Sequence, residues 1–169
     1  MTNALNRQMM MEITSSYSYL AMSARCEALS LPGFAAWFRA QSGEEWMHAM
    51  KFFDYLQDRE AAPRLEAVPA PPAEYATATD AFVAALANEQ AVTQSIHEIY
   101  ALAVDERDFA SQSFLNWFVT EQVEEESTVK GILGWLKRIG ESGQGLFLLD
   151  RELAQNPRPG AAADPDASA

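Results

Sequence analysis

Four long segments of this chain carry apolar residues at helical spacing, and the connections between them are short, long and short. Residues 61–79 contain four prolines, which indicate a long extended connection. An all-α four-helix bundle with one long crossover fits this order, with helices two and three parallel and each short-linked pair antiparallel. The predicted helices cover about residues 3–30, 33–60, 79–105 and 109–139, with a short fifth C-terminal helix over 146–154.

The chain length predicts a single domain, because 169 residues provide one sizeable core but not two. We expect residues 1–155 to form this domain. Residues 156–169 are rich in Pro, Ala and Asp and are expected to be disordered. Thr79 or Asp80 is expected to cap the third helix.

The charge of the chain excludes several classes of partner. With 24 acidic and 12 basic residues, the formal net charge is −12, which disfavours both nucleic acid and anionic membranes. The longest uncharged stretches, about a dozen residues, are too short to span a membrane. A single cysteine and the absence of a recognisable leader predict a cytoplasmic protein. Because 49% of the residues are hydrophobic, the acidity is not that of a disordered chain.

Each predicted helix carries a glutamate near the middle of its apolar face. These residues are Glu12, Glu45, Glu89 and Glu125, and His48 follows Glu45 by one helical turn. On the first helix, the spacing of seven residues also places Leu5, Tyr19 and Cys26 on the face of Glu12.

Buried carboxylates without partners are costly, and no Lys or Arg falls near these four on the helical projection. Two divalent metals would balance four carboxylates, and His48 would add a neutral nitrogen ligand. This layout matches most of the di-iron carboxylate pattern of four-helix bundles. That pattern has a second Glu-x-x-His, whereas Thr128 stands three residues after Glu125, so the two metal positions should differ in ligation.

A second acidic group has two interpretations. The acidic run of residues 121–126 is often only a solvated helix face, but Glu121, Glu124 and Glu44 could also hold a third, weaker metal. The spacing alone leaves both interpretations open. His97 is expected at the surface, and Cys26 in the core.

Several segments of this sequence resemble the ferritin family, specifically its non-haem bacterial type. The resemblance covers about residues 6–153 and is carried by SSYSYLAMSARC, GEEWMHAMKFFDYL, NEQAVTQSI and FLNWFVTEQVEEES. It implies one iron bound by Glu12, Glu45 and His48. It implies a second iron bound by Glu89 and Glu125, with Glu45 bridging the two.

The resemblance also implies roles for residues around this pair. Gln122 matches a glutamine close to the two irons, and Tyr19 matches a tyrosine that donates a hydrogen bond or takes part in redox chemistry. In bacterial members a third iron lies among four glutamates, which correspond here to Glu44, Glu121, Glu124 and Glu125. Bacterioferritins have a haem-binding Met directly after the bridging Glu, but Trp46 occupies that position here, so we expect no haem.

The function implied is that of a ferroxidase, which oxidises Fe²⁺ with O₂ or H₂O₂ and stores ferric mineral inside a shell of twenty-four identical chains. One alternative is a non-storage di-metal oxidase or peroxidase of the rubrerythrin or manganese-catalase kind. The missing second histidine and the lack of rubredoxin-like cysteine pairs weigh against it. Another alternative is a structural four-helix bundle without catalytic activity. The presence of all five candidate ligands weighs against it.

Overall fold

The computed structural model describes residues 1–72, 74–140 and 142–156, and across these residues it contains five helices and no strand. The helices are α1 (Thr2–Ala28), α2 (Pro32–Asp58), α3 (Ala78–Asp105), α4 (Phe109–Ile139) and α5 (Gly143–Gln155). The predicted all-α bundle with a short fifth helix is confirmed. None of the described helices carries an apolar stretch long enough to span a bilayer. Of the predicted C-terminal tail, residues 157–169 lie outside the described residues.

The long connection between α2 and α3 runs along α1 and is held to it at both ends. Near the start of α1, the Asn6 side chain accepts a hydrogen bond from the Arg64 backbone N–H at 2.7 Å and donates one to the Arg64 carbonyl at 3.1 Å. Near its other end, Nε of Arg25 donates to the carbonyl of Tyr75 at 2.7 Å. The chain therefore returns to the opposite end of the bundle before α3 begins, and α3 runs parallel to α2 as predicted.

Two helix starts differ from the prediction because capping side chains outside the apolar pattern set them. Thr77 caps α3, ahead of the expected Thr79 or Asp80. Its Oγ1 accepts from the backbone N–H of Asp80 at 3.1 Å, and the Asp80 carboxylate accepts from the backbone N–H of Thr77 at 2.9 Å. This is a reciprocal capping box. Ser142 caps α5, which therefore starts at Gly143 and not at residue 146.

A helix from the far end of the chain caps α2. Leu31, at the N-cap position of α2, provides no side-chain hydrogen bond. Instead Oδ1 of Asp150, on α5, accepts from the backbone N–H of Gly33 at 2.8 Å and of Phe34 at 3.0 Å. A carboxylate at a helix N-terminus satisfies unpaired N–H groups and interacts favourably with the helix dipole. Asp150 thus ties α5 to the bundle.

The core of the bundle is divided into two apolar clusters. One contains Phe34, Phe38 and Phe82. The other contains Phe52 and Phe118 with aliphatic residues of all four long helices. Between them lies a layer of buried polar residues contributed by α1, α2, α3 and α4. This layer contains the predicted glutamates.

Candidate metal centre

The four glutamates predicted at the centres of the apolar faces are all buried. Glu12 and Glu89 are 0% exposed, Glu45 is 1% exposed and Glu125 is 6% exposed. The first-helix repeat is also confirmed, because Leu5, Tyr19 and Cys26 are buried with Glu12. Among the ion pairs of the described residues, none joins a Lys or Arg to any of these four carboxyl groups.

Burial and mutual repulsion make these carboxyl groups poor acids in the absence of a metal. Loss of hydration raises the pKa of Glu12 to about 7, with a smaller rise from the charge of Glu89. Burial also raises the pKa of Glu45 well above its ordinary value, and the charges of Glu89, Glu12 and Glu125 add to the effect. The pKa of Glu125 is raised in the same way, first by burial and then by Glu89. Cations at this layer would relieve both costs.

A first group of possible ligand atoms comes from Glu12, Glu45 and His48, whose atoms lie within 4.8 Å of one another. Nδ1 of His48 lies 3.5 Å from Oε2 of Glu45. Burial, with a contribution from Lys51, lowers the pKa of His48 to about 4, so the imidazole is neutral at pH 7 and has a lone pair to offer. Among the described residues, Oε2 of Glu12 and Oε2 of Glu45 have no hydrogen-bond partner outside this pair, and a hydrogen bond between the two carboxyl groups lowers the pKa of Glu12 and raises that of Glu45. Two buried carboxylate oxygens are thus available to a cation.

A second group brings together Glu44, His48, Glu121 and Glu125, again within 4.8 Å. Glu44 is buried, and within the acidic run Glu121 is half-buried and Glu125 buried, so this part of the run is not a solvated helix face. Glu124 differs from the rest, because it is exposed and stands outside both groups, although its charge still contributes to the raised pKa of Glu125. His48 belongs to both groups, an arrangement that the sequence did not suggest.

Glu89 lies outside both groups and is held by its own partners. The Tyr19 hydroxyl donates to Oε1 of Glu89. The amide nitrogen of Gln122 lies 3.4 Å from Oε2 of Glu89 and 3.3 Å from its carbonyl oxygen. Both sequence-predicted neighbours of the site therefore contact the same carboxylate. Burial and the surrounding glutamates raise the pKa of Tyr19 well above its ordinary value, which keeps its hydroxyl protonated as the donor.

Two buried glutamines that the sequence analysis missed also contact these carboxylates. Gln8 donates to Oε1 of Glu12 at 2.8 Å. Gln41 donates to Oε2 of Glu44 at 3.0 Å and approaches Oε2 of Glu125 at 3.4 Å. Both precede a glutamate by one helical turn, and this spacing places each on the face of its partner. A search for amides three or four residues from each central glutamate would have found them.

The other residues singled out in the sequence lie outside the two ligand groups. Cys26 is buried, and burial raises the pKa of its thiol to about 12, as suits an inert core residue. His97 is exposed, as expected. Trp46, which stands where bacterioferritins have the haem-binding Met, is exposed on α2. The methionine next to it, Met47, is exposed as well, so neither side chain faces the carboxylate layer.

The raised pKa values predict a pH dependence for the metal-free protein. Between the ordinary pKa near 4.5 and about 7, the folded chain holds a proton on Glu12 that the unfolded chain has lost. Stability is therefore expected to fall as pH rises through this window, by about 1.4 kcal/mol per pH unit for one such group. Calorimetric melting between pH 4.5 and 7 measures this. Glu12→Gln should flatten the decline, and an unchanged slope in that variant would contradict the assignment.

Comparison with known proteins agrees with this architecture. A family profile described as the ferritin-like domain matches residues 2–139. A bacterial non-heme ferritin of Staphylococcus epidermidis is 41% identical over 151 residues, which cover 89% of this chain and 91% of the relative. One of Staphylococcus aureus is 39% identical over 150 residues, covering 89% of this chain and 90% of the relative. An open pore ferritin from the hyperthermophilic archaeon Archaeoglobus fulgidus superposes with a TM-score of 0.89 at 44% identity, covering 90% of this chain and 93% of that one. This chain belongs to the ferritin family.

Proposed function

We propose that this chain is a non-haem, iron-storing ferritin that oxidises Fe²⁺ at the buried carboxylate layer. The observation that carries the proposal is the buried group of Glu12, Glu45 and His48, in which one oxygen of each carboxyl group has no partner outside the pair and the imidazole is neutral. Carboxylate oxygens with one imidazole suit iron in both oxidation states. Family membership and the names of the bacterial relatives support the same conclusion.

The substrate in this proposal is a pair of Fe²⁺ ions. Glu12, Glu45 and His48 would bind one of them, and Glu89 and Glu125 the other. Glu45 would bridge the two positions, as the family resemblance implies. Once their protons are released, four carboxylates carry the same charge as two Fe²⁺ ions with opposite sign, so the loaded layer would be neutral.

Two Fe²⁺ ions together supply two electrons. These electrons reduce O₂ with two protons to H₂O₂, or H₂O₂ with two protons to two waters. The carboxyl groups of the layer hold protons in the metal-free state and release them when they bind a cation. Tyr19 and Gln122 keep Glu89 in a defined orientation, since each donates to a different carboxylate oxygen. Tyr19, which contacts Glu89, is also a candidate for a redox-active side chain.

A third iron position is part of the proposal. The group of Glu44, His48, Glu121 and Glu125 supports a cation site next to the pair. Glu124 would contribute through its charge, or as a ligand after a change of rotamer, because its side chain is exposed. Occupation of this position by a cation would relieve the repulsion between Glu121 and Glu125.

Storage requires an enclosed space, which one bundle does not provide. We propose a homo-oligomeric shell, twenty-four chains as in the family resemblance, in which ferric product hydrolyses and accumulates as mineral. The acidity of the chain would draw Fe²⁺ toward such a shell by electrostatic steering. A cytoplasmic location remains a prediction of the sequence.

Aerobic titration of the purified protein with Fe²⁺ tests the proposal. We expect a fast rise in ferric absorbance that saturates at about two to three Fe²⁺ per chain, followed by slower mineral growth inside a large particle. Oxygen consumption and particle size, followed in the same samples, distinguish oxidation from storage. A small assembly that turns over H₂O₂ without accumulating iron would favour the rubrerythrin-like alternative.

A further inference from the structure

A buried glutamine on α1 links the candidate metal ligand Glu12 to α3. Gln8 is 0% exposed, and both ends of its amide are used. Its Nε2 donates to Oε1 of Glu12 at 2.8 Å, and its Oε1 accepts from the hydroxyl of Ser95 at 2.5 Å. The three side chains form one chain of hydrogen bonds, Ser95 to Gln8 to Glu12.

The contact with Gln8 makes the two oxygens of Glu12 unequal. Oε1 is occupied by the amide, whereas Oε2 has no hydrogen-bond partner among the described residues outside the pair with Glu45. Oε2 is thus the oxygen left for a cation in the group formed with Glu45 and His48. A hydrogen bond from a neutral amide also favours the charged form of a carboxylate, which is the form that binds metals.

Ser95, on α3, anchors the far end of the Gln8 amide. If the amide were reversed, its oxygen would face a carboxylate oxygen, and two acceptors would meet in a buried place. The carboxylate of Glu12, which can only accept, thus sets the direction of the amide, and the hydroxyl of Ser95 holds the other end of the amide in place. Ser95 is half-buried and borders a small cavity of about 120 Å³ between α1 and α3, whose lining includes Arg7 and Glu98. The amide is therefore anchored from α3, outside the carboxylate layer.

We propose that Gln8, anchored by Ser95, is a positioning residue for the metal bound by Glu12, because it occupies Oε1 of Glu12 and leaves Oε2 for the cation. This inference rests on the proposed function, since it assumes that Glu12 is a ligand. A ligand restricted to one oxygen leaves a coordination position of the metal open. An open position is what an oxidant or a second bridging group requires.

Anaerobic titration with Co²⁺ alone, followed by its visible absorption, tests this role without any turnover. We expect Gln8→Leu to weaken binding at one position by about 10- to 100-fold and to alter the absorption spectrum, because Glu12 is then free to rotate and to bind through both oxygens. Ser95→Ala should act in the same direction by a smaller factor. If Gln8→Leu does not assemble, the same Co²⁺ titration of Ser95→Ala still tests the role of Gln8.

Gln94→Leu is the matched control, because Gln94 is an exposed glutamine on α3 whose amide contacts only Glu98 among the hydrogen bonds described. It should bind Co²⁺ as the unaltered protein does. Glu45→Ala serves as the reference for a lost site. One outcome would overturn the role of Gln8 and leave the proposed site intact. In that outcome, Gln8→Leu and Ser95→Ala keep the parental affinity and spectrum, whereas Glu45→Ala loses binding. Unaltered binding in Glu45→Ala would overturn the proposed site and this inference with it.

Discussion

Glu45→Ala is expected to lower the initial rate of Fe²⁺ oxidation at least about 100-fold, while the protein still folds and assembles. Glu45 is 1% exposed and is the only one of the four glutamates with His48 one turn away on the same helix. Without its carboxylate, the two proposed iron positions lose the group that would join them, so two electrons are no longer delivered together. Stopped-flow absorbance after mixing with aerobic Fe²⁺ measures the rate.

The fold should survive this change because Glu45 does not stabilise the metal-free bundle. Its carboxyl group is buried, its pKa is raised by burial and by three neighbouring glutamates, and its Oε2 has no hydrogen-bond partner among the described residues outside the pair with Glu12. Glu45→Gln removes the charge with little change in volume and should melt at the same temperature as the metal-free parent or higher. Asp54→Ala, an exposed change on the same helix, is the control and should oxidise Fe²⁺ normally. Parental rates in Glu45→Ala would refute the site.

Asp150→Ala is expected to release α5 from the bundle at a cost of about 2–4 kcal/mol in the free energy of unfolding. The substitution leaves the backbone N–H groups of Gly33 and Phe34 without the acceptor that Asp150 provides. Since Leu31 offers no cap of its own, nothing local replaces this interaction. Hydrogen exchange measured by mass spectrometry should show faster exchange in residues 143–156 and in the first turn of α2.

Two further variants separate the cap from other effects at this contact. Gly33→Ala should also displace α5, because the added Cβ would lie 1.7 Å from the carbonyl oxygen of Asp150. Asp150→Asn keeps an acceptor oxygen and should lose less stability than Asp150→Ala. Glu152→Ala changes an exposed carboxylate on the same helix and should have little effect. Slow exchange in α5 of Asp150→Ala would show that apolar contacts alone hold this helix.

Much of the fold was predictable because it depends on patterns that short segments already contain. Helical spacing located all five helices, and the proline-rich connection implied a crossover that makes α2 and α3 parallel. The errors were at helix starts. Thr77 and Ser142 are the capping residues of α3 and α5, and both lie before the apolar pattern begins. Starts predicted from that pattern, with Thr79 or Asp80 as the expected cap of α3, therefore fall too late.

The candidate site was predictable to the extent that each long helix carries its own central glutamate. The sequence of a single helix is enough to show a glutamate at the centre of its apolar face. This local pattern identifies Glu12, Glu45, Glu89 and Glu125. The sequence indicates Gln8 and Gln41 less clearly than the four glutamates, because a glutamine one turn from a glutamate is common on helices. Their importance comes from burial, which the tertiary structure supplies.

By itself, the sequence determined the number and order of the helices and the four carboxylates at their centres, because helix periodicity is a local property of the chain. Only the tertiary structure decided which atoms meet. It places His48 in both groups of candidate ligands and Gln8 between Glu12 and Ser95. It also caps α2 with Asp150, which is 117 residues away from Gly33 in the sequence. Such contacts depend on the rotation and axial position of one helix against another. Packing of side chains from all the helices sets these quantities, and no single segment encodes them.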